Sequence, residues 1–308
     1  MKSILLLTEN WNLFSARDLQ SLVNAAKIAE EAGIDGVQVS EHIVLGPAAN
    51  AGEPKRNVRE YDGQGNQPPD TPWPSSLLVL SAIAATTTRL KIFAGATLPV
   101  LRHPLQVAKD FATLDLLSKG RFVAYPTVSW HEQEYSALGK DFRKRGKMLD
   151  EQFEIWKKVW TESPASYSGE FYKFDNIYVD PKPWTPGGPP LWITGGPLHA
   201  AAIRRIAKYG SGYAPIGPMA PGEKEQIYAA LTAAGRDPQH FDIMGGIAGM
   251  FKGADDVADL DETCAQQLPF NVASGAGWVV AKPSQFINRA EEFSDFCRRY
   301  VKHIKALG

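Results

Sequence analysis

The sequence predicts an α/β fold of the (β/α)8 TIM-barrel kind, on three observations. Short apolar runs alternate with amphipathic helical stretches about eight times along the chain. Each return to a parallel strand needs a crossover helix, so alternation of this kind builds a parallel sheet. Eight such units within 308 residues fit a closed barrel better than an open doubly wound sheet. One domain is expected over residues 1–308, with insertions at about 40–73, after the second strand, and at about 162–190, before the fifth.

Residues 3–8 read as the first strand. Leu22, Val23, Ala26, Ile28 and Ala29 mark a helix from residue 19, closed by Gly33 in the left-handed conformation. Residues 36–39 form the second strand, and Leu77, Leu78, Leu80, Ile83 and Ala84 a helix over 75–87 with Ser75 as its N-cap. A third strand at 90–94 leads to a helix at 104–117 with Pro in its first turn. The fourth strand, 121–124, precedes a long helix at 145–160. The second half continues with strand 191–194, helix 197–209, strand 212–214 and helix 221–234. A strand within 241–250 is weakened by Gly245 and Gly246; helix 255–267, strand 277–280 and a closing helix at 283–307 follow. The first insertion follows a strand, so it lies on the C-terminal rim of the barrel, where chemistry occurs. In the second, Tyr167-Ser168-Gly169-Glu170-Phe171-Tyr172 resembles a small hairpin and Pro181-Lys182-Pro183 an extended exit. Loops this long are more often lids or binding elements than decoration.

Composition narrows the function. Apolar residues are 44%, charged residues 22% and the net charge is −1, which suits a globular enzyme and offers no field to draw nucleic acid or an anionic membrane. The apolar run at 4–7 is too short for an export signal or a membrane span. Cys264 and Cys297 have neither CxxC spacing nor a neighbouring His, so no metal site is expected and a reducing cytoplasm fits. The six histidines include no HxH pair, and HExxH, GxSxG and GxxxxGK[ST] are absent, which sets aside metal-hydrolase, serine-hydrolase and P-loop readings.

Four constellations remain. Val37-Gln38-Val39-Ser40-Glu41-His42 ends a strand in an acid–imidazole pair suited to proton transfer. Small residues in Ala94-Gly95-Ala96-Thr97-Leu98-Pro99, ahead of Arg102-His103-Pro104, let a flat ring approach the backbone or simply fill a narrow barrel. Trp192-Ile193-Thr194-Gly195-Gly196-Pro197 sets a Gly pair and a hydroxyl before a helix start at Pro197, a combination suited to a phosphate. Val128-Ser129-Trp130-His131-Glu132-Gln133-Glu134-Tyr135 brings polar and aromatic groups near the rim.

At these residues the chain resembles the luciferase-like monooxygenase superfamily, particularly its F420-dependent oxidoreductase branch. The similarity covers about residues 33–212. It is carried by Leu98-Pro99-Val100-Leu101-Arg102-His103-Pro104, Ala112-Thr113-Leu114-Asp115, Leu117-Ser118-Lys119-Gly120-Arg121, Glu134-Tyr135-Ser136-Ala137-Leu138-Gly139, Arg143-Lys144-Arg145-Gly146, Gly169-Glu170-Phe171-Tyr172 and Pro190-Leu191-Trp192-Ile193. The resemblance implies a ring cofactor over the strand ends, with His42 and Glu41 as catalytic groups facing it; relatives commonly carry Asp where this chain has Glu41. It implies a cis peptide at Gly95–Ala96 behind the ring. Cofactor contacts are expected at Gly95, Ala96, Thr97, Thr127 and Ser129, with the phosphate at Thr194, Gly195, Gly196 and Pro197. The pattern breaks at Tyr125-Pro126, where relatives have a Gly-rich stretch; the added bulk at the rim points to a reshaped pocket or altered cofactor binding.

The activity implied is hydride transfer between F420 and a small organic substrate. With reduced FMN the reaction becomes oxygen insertion from O2, and a flavin reductase would be a partner. A reading of another class is a ligand-binding barrel without turnover. Lys55, Arg56 and Arg59, placed to meet an anionic F420 tail, tip the choice slightly toward F420. Trp11, Trp73, Tyr125, Trp130 and Phe171 suggest an apolar or cyclic substrate. Relatives often dimerise, so a homodimer is expected.

Overall fold

The computed structural model describes residues 1–8, 13–53, 55–60 and 67–307; Trp11 lies outside them. Eight parallel strands form the sheet: β1 (Lys2–Thr8), β2 (Gly36–Val39), β3 (Lys91–Thr97), β4 (Phe122–Pro126), β7 (Trp192–Gly195), β8 (Gly212–Pro215), β9 (Asp242–Gly246) and β10 (Trp278–Ala281). β5 (Ala165–Ser168) and β6 (Lys173–Ile177) make the antiparallel hairpin of the second insertion. The sheet order is β4-β3-β2-β1-β10-β9-β8-β7. Its two edges meet where Ala124 N donates to Pro190 O at 3.0 Å and Ala124 bridges Leu191 in parallel. The expected barrel is therefore what the chain forms.

Around it run α1 (Leu19–Ala32), α2 (Ser76–Thr86), α3 (Pro104–Ser118), α4 (Glu132–Ala137), α5 (Arg145–Thr161), α6 (Ala200–Tyr209), α7 (Glu223–Ala233), α8 (Leu260–Ala273) and α9 (Phe293–Lys305). Gly33 closes α1 at φ 94°, as its residue type predicts. Alternation along the strands divides two cores. Phe122 and Ala124 face the helices, whereas Val123 and Tyr125 join Ile4, Phe93, Trp192, Ala214, Met244 and Trp278 in the bore. Tyr125 therefore does not crowd the rim: it lies flat on Trp192, rings 5.3 Å apart and 8° from parallel, and plugs the barrel beneath the strand ends.

Several boundaries differ from the sequence reading. β3 and β4 each run beyond their expected ends, because Gly95 stays paired with Tyr125 and Thr97 with Pro126. α6 begins at Ala200 rather than residue 197, since the ring of His199 takes the N-cap position and accepts from Ala202 N at 3.2 Å. α8 starts at Leu260 because Asp259 accepts from Glu262 N at 2.8 Å, and it continues through Pro269. The closing helix proper begins at Phe293, after two single 3-10 turns, Pro283–Gln285 and Ala290–Glu292. Ser75 stands at the N-cap of α2 but makes no capping hydrogen bond, and α4 was not expected at all. Among the described residues no helix is long and apolar enough to cross a membrane.

Candidate active site

A cavity of about 1400 Å³ opens at the C-terminal ends of the barrel strands. All eight contribute to its wall, among them Leu6, Gln38, Ala96, Pro126, Thr194, Ala214, Met244 and Val280. Ligand sites commonly enclose about 300–1,000 Å³, so the space suits a large cofactor together with a substrate.

His42, just past β2, is held from the side. Its Nδ1 lies 3.3 Å from Glu134 Oε2, and only 10% of its side chain is exposed. Glu134 also accepts from Ile43 N at 2.7 Å and Ser129 Oγ at 2.9 Å. Burial by itself would raise the pKa of Glu134, but the hydrogen bond and charge of His42, with the Ile43 amide and the Ser129 hydroxyl, outweigh it and hold the carboxyl below its ordinary value. The Glu134 contact defines Nδ1 as the proton-bearing nitrogen of neutral His42, leaving Nε2 as the acceptor. Trp73 and Trp130 pack edge-on against the imidazole at centroid distances of 5.3 and 5.8 Å. Side chains at the start of α4 fix the loop beyond: His131, its N-cap residue, accepts through Nε2 from Gly46 N at 2.8 Å, and Gln133 Oε1 accepts from Ala48 N at 3.0 Å.

Glu41 is differently engaged. Arg102 grips both its oxygens, NH1 to Oε1 at 2.8 Å and NH2 to Oε2 at 3.0 Å. Leu98 N donates to Oε1 at 3.0 Å and Ser76 Oγ to Oε2 at 2.8 Å. A carboxylate has about four lone-pair sites, and here four donors occupy them. Glu41 thus ties the tip of β2 to α2 and to the turn after β3, and it holds no acceptor site in reserve for a substrate proton.

The Gly95–Ala96 peptide is cis. Gly95 O accepts from Gln38 Nε2 at 2.8 Å and from Ser40 Oγ at 2.7 Å. A Cβ on Gly95 would stand 2.5 Å from Tyr125 Cδ2 and 2.9 Å from Gln38 Cδ, so glycine is required there. Of the other residues expected at the cofactor, Ala96, Thr127, Ser129, Thr194, Gly195 and Gly196 line the cavity. Thr97 is 1% exposed and faces Tyr125 O, and neither it nor Pro197 is part of the wall. Around Gly195 and Gly196 an added Cβ would meet nothing within 4 Å, so that side of the rim is open.

Three basic residues leave the picture. Arg56 NH2 donates to Lys252 O at 3.3 Å, Arg59 NH1 to Asp255 O at 3.0 Å, and Lys55 Nζ to Glu60 O at 3.4 Å. The two arginines strap the first insertion to the turn before α8, Lys55 bonds within the insertion, and none of the three lines the cavity. Of the aromatic residues read as substrate-facing, Trp73 and Trp130 line the cavity, Tyr125 forms its floor, and Phe171 lies in the hairpin under Lys144.

A ring cofactor fits this lining. Gln38 Oε1, Gln67 Oε1, Trp73 Nε1 and Arg145 Nε are buried polar atoms without a partner among the described residues, and all four residues line the cavity. Buried polar atoms normally find partners, so this lining suits a polar-edged cofactor with a polar substrate beside it. The sequence reading missed Glu134 and Arg102 as site residues. Both stood in motifs it had noted, but their partners, His42 and Glu41, are 92 and 61 positions away.

Comparison with known proteins agrees with this fold. The family described as Luciferase-like monooxygenase matches residues 2–259. An uncharacterized protein of Mycobacterium tuberculosis is 34% identical over 54% of this chain and 58% of its own length. The F420-dependent glucose-6-phosphate dehydrogenase of Kineococcus radiotolerans is 30% identical over 62% of this chain and 51% of that protein. The FMNH(2)-dependent dimethylsulfone monooxygenase of Pseudomonas fluorescens is 31% identical over 47% of this chain and 40% of that protein. The chain thus spans less than two thirds of these curated relatives. The crystal structure of monooxygenase RslO1 from Streptomyces bottropensis superposes with a TM-score of 0.77 over 99% of both chains at 20% identity, a likeness of fold.

Proposed function

The chain belongs to the luciferase-like monooxygenase family, and on that premise we propose that it transfers a hydride between F420 and a small organic substrate, with His42 moving the accompanying proton. The observation that carries this reading is the His42–Glu134 pair at the cavity wall, 3.3 Å apart. F420, when bound, supplies or accepts the hydride. Glu134 fixes the tautomer and the orientation of the imidazole, so that Nε2 is the proton acceptor. Because the Glu134 carboxyl is held below its ordinary pKa, it remains ionised and balances the charge His42 gains. Trp73 and Trp130 shield the ring from water and hold it in one rotamer. Glu41 serves as a positioning residue through Arg102. Gln38 and Ser40 fix the peptide on which a ring would rest, and Thr194, Gly195 and Gly196, ahead of the N-terminus of α6, supply the room and dipole for a phosphate.

A second reading is an FMNH2-dependent monooxygenase fed by a flavin reductase. It is favoured by the dimethylsulfone monooxygenase relative and by the engagement of Lys55, Arg56 and Arg59 away from the cavity, which removes the basic patch that spoke for an F420 tail. Titration of the purified protein with F420 and with FMN, followed by cofactor fluorescence, tests both. Saturable binding of F420 is expected. Saturation by FMN alone moves the assignment to the second reading, and binding of neither leaves a ligand-binding barrel without turnover.

A further inference from the structure

We infer that the substrate side of the cavity recognises a hydroxylated molecule presenting at least two O–H groups, rather than an apolar ring. This names the substrate class of the site proposed above and rests on that reading for the role of His42. Gln38 Nε2 is committed to Gly95 O at 2.8 Å, so its free Oε1 stands beside the Gly95–Ala96 peptide, on the cofactor side. Gln67 and Trp73 belong to the first insertion, which follows His42 in the chain, and both line the cavity. The Trp73 ring stands edge-on to His42 at 5.3 Å. Gln67 is 6% exposed and anchored by its backbone N–H to Ala49 O at 2.8 Å.

These groups differ in what they need. Trp73 Nε1–H is a donor only, Gln67 Oε1 an acceptor only, and His42 Nε2 accepts a proton once Nδ1 is held by Glu134. An apolar ligand would bury the first two unsatisfied, which folded proteins avoid. One hydroxyl satisfies two of the three: its oxygen accepts from Trp73 while its proton points to His42. Gln67 Oε1 then needs a second donor on the same molecule, which a second O–H supplies. The aromatic faces of Trp73 and Trp130 pack against the C–H edges of such a substrate without competing for its polar groups.

The test uses trans-cyclohexane-1,2-diol and its dimethyl ether, which keeps the ring and removes both donors. Binding is followed by tryptophan fluorescence, with and without cofactor. The diol is expected to bind at least about tenfold more tightly than the diether, because a site built around a hydroxyl rejects analogues that lack it. Gln67→Leu and Trp73→Phe are each expected to bring that ratio toward one while leaving the melting temperature and the cofactor titration unchanged. Equal affinity for the two probes, no binding of either, or a ratio that survives in both variants overturns the proposal. Should Gln67→Leu fail to fold, Trp73→Phe alone decides. A diol preference in protein that binds neither F420 nor FMN would sink the proposed function and leave the substrate class standing.

Discussion

The two halves of the barrel rim are built on opposite principles. Over β2–β4 the carboxylates and the Gly95 carbonyl are fully engaged. Glu41 accepts four hydrogen bonds, Glu134 holds His42, Ser129 and the Ile43 amide, and Gly95 O receives both Gln38 and Ser40. Over β7 and β8 the chain offers backbone and space. An added Cβ would meet nothing within 4 Å at Gly195, Gly196, Gly217 or Gly222, and Ile216 is 55% exposed. A group that must move a proton needs one geometry, which the crowded half enforces. A group that must admit the bulk of a large ligand needs room and amide dipoles, which the sparse half provides.

The largest effect that sharpens this contrast is expected at His42. His42→Ala should lower turnover by about 10²–10⁴-fold, the usual worth of a positioned acid–base group, while the cofactor titration stays close to that of the parent protein. A variant that turns over normally would remove the crowded half from the chemistry. Next comes Arg102→Ala, which leaves the buried Glu41 carboxylate without its cation. Stripping one partner from such a pair costs about 3–5 kcal/mol, read as a fall in the denaturation midpoint. An unchanged midpoint would mean that Glu41 is not the tie its geometry describes.

A pair of identical substitutions then compares the halves directly. Gly95→Ala pushes a methyl to within 2.5 Å of a Tyr125 ring that is itself pinned on Trp192. Overpacking of that kind costs about 1–3 kcal/mol. Gly196→Ala meets open space, and its stability should stay within about 0.5 kcal/mol of the parent. Equal costs at the two positions would break the comparison.

What could be read from the chain follows the same division. The order of strands and helices was legible because alternation repeats over the whole length, and Gly33 marked its helix end by residue type alone. Six-residue α4 is too short to show a helical period, so the element that carries Glu134 passed as loop. The direction of Tyr125 was decided by alternation along β4, which sends Phe122 and Ala124 outward and Val123 and Tyr125 inward; bulk near a rim was the wrong cue. Lys55, Arg56 and Arg59 looked like an anion patch because charge is visible in sequence, while the carbonyls that bind them, nearly 200 positions away for Arg56 and Arg59, are not. The start of α6 was misplaced because Pro197 is a common first helical residue, whereas the cap came from the imidazole of His199.

The smallest expected effect is local and comes from pH. Burial, the largest influence on His131, lowers its pKa below the ordinary value near 6.5, and the charge of His42 acts the same way; Glu134 opposes them and is outweighed. The folded protein therefore resists a proton that the unfolded chain would take, so stability falls as pH drops below about 6.5 toward the folded value. Glu134 adds to this only at lower pH: its depressed pKa contributes stability above the ordinary carboxyl range, near 4.3, that is lost as pH falls through its folded value. Protonated Nε2 cannot accept from Gly46 N, now 2.8 Å away, so the loop beyond β2 should release from α4 before the barrel yields. Amide exchange, corrected for its intrinsic pH dependence, is expected to show lower protection at Gly46 at pH 5.5 than at pH 7, with Ile4 and Val279 unchanged in the barrel core. Flat protection at Gly46 would show that the crowded half is held by its carboxylates alone, and His131 would then be a passive neighbour of the loop rather than one of its fastenings.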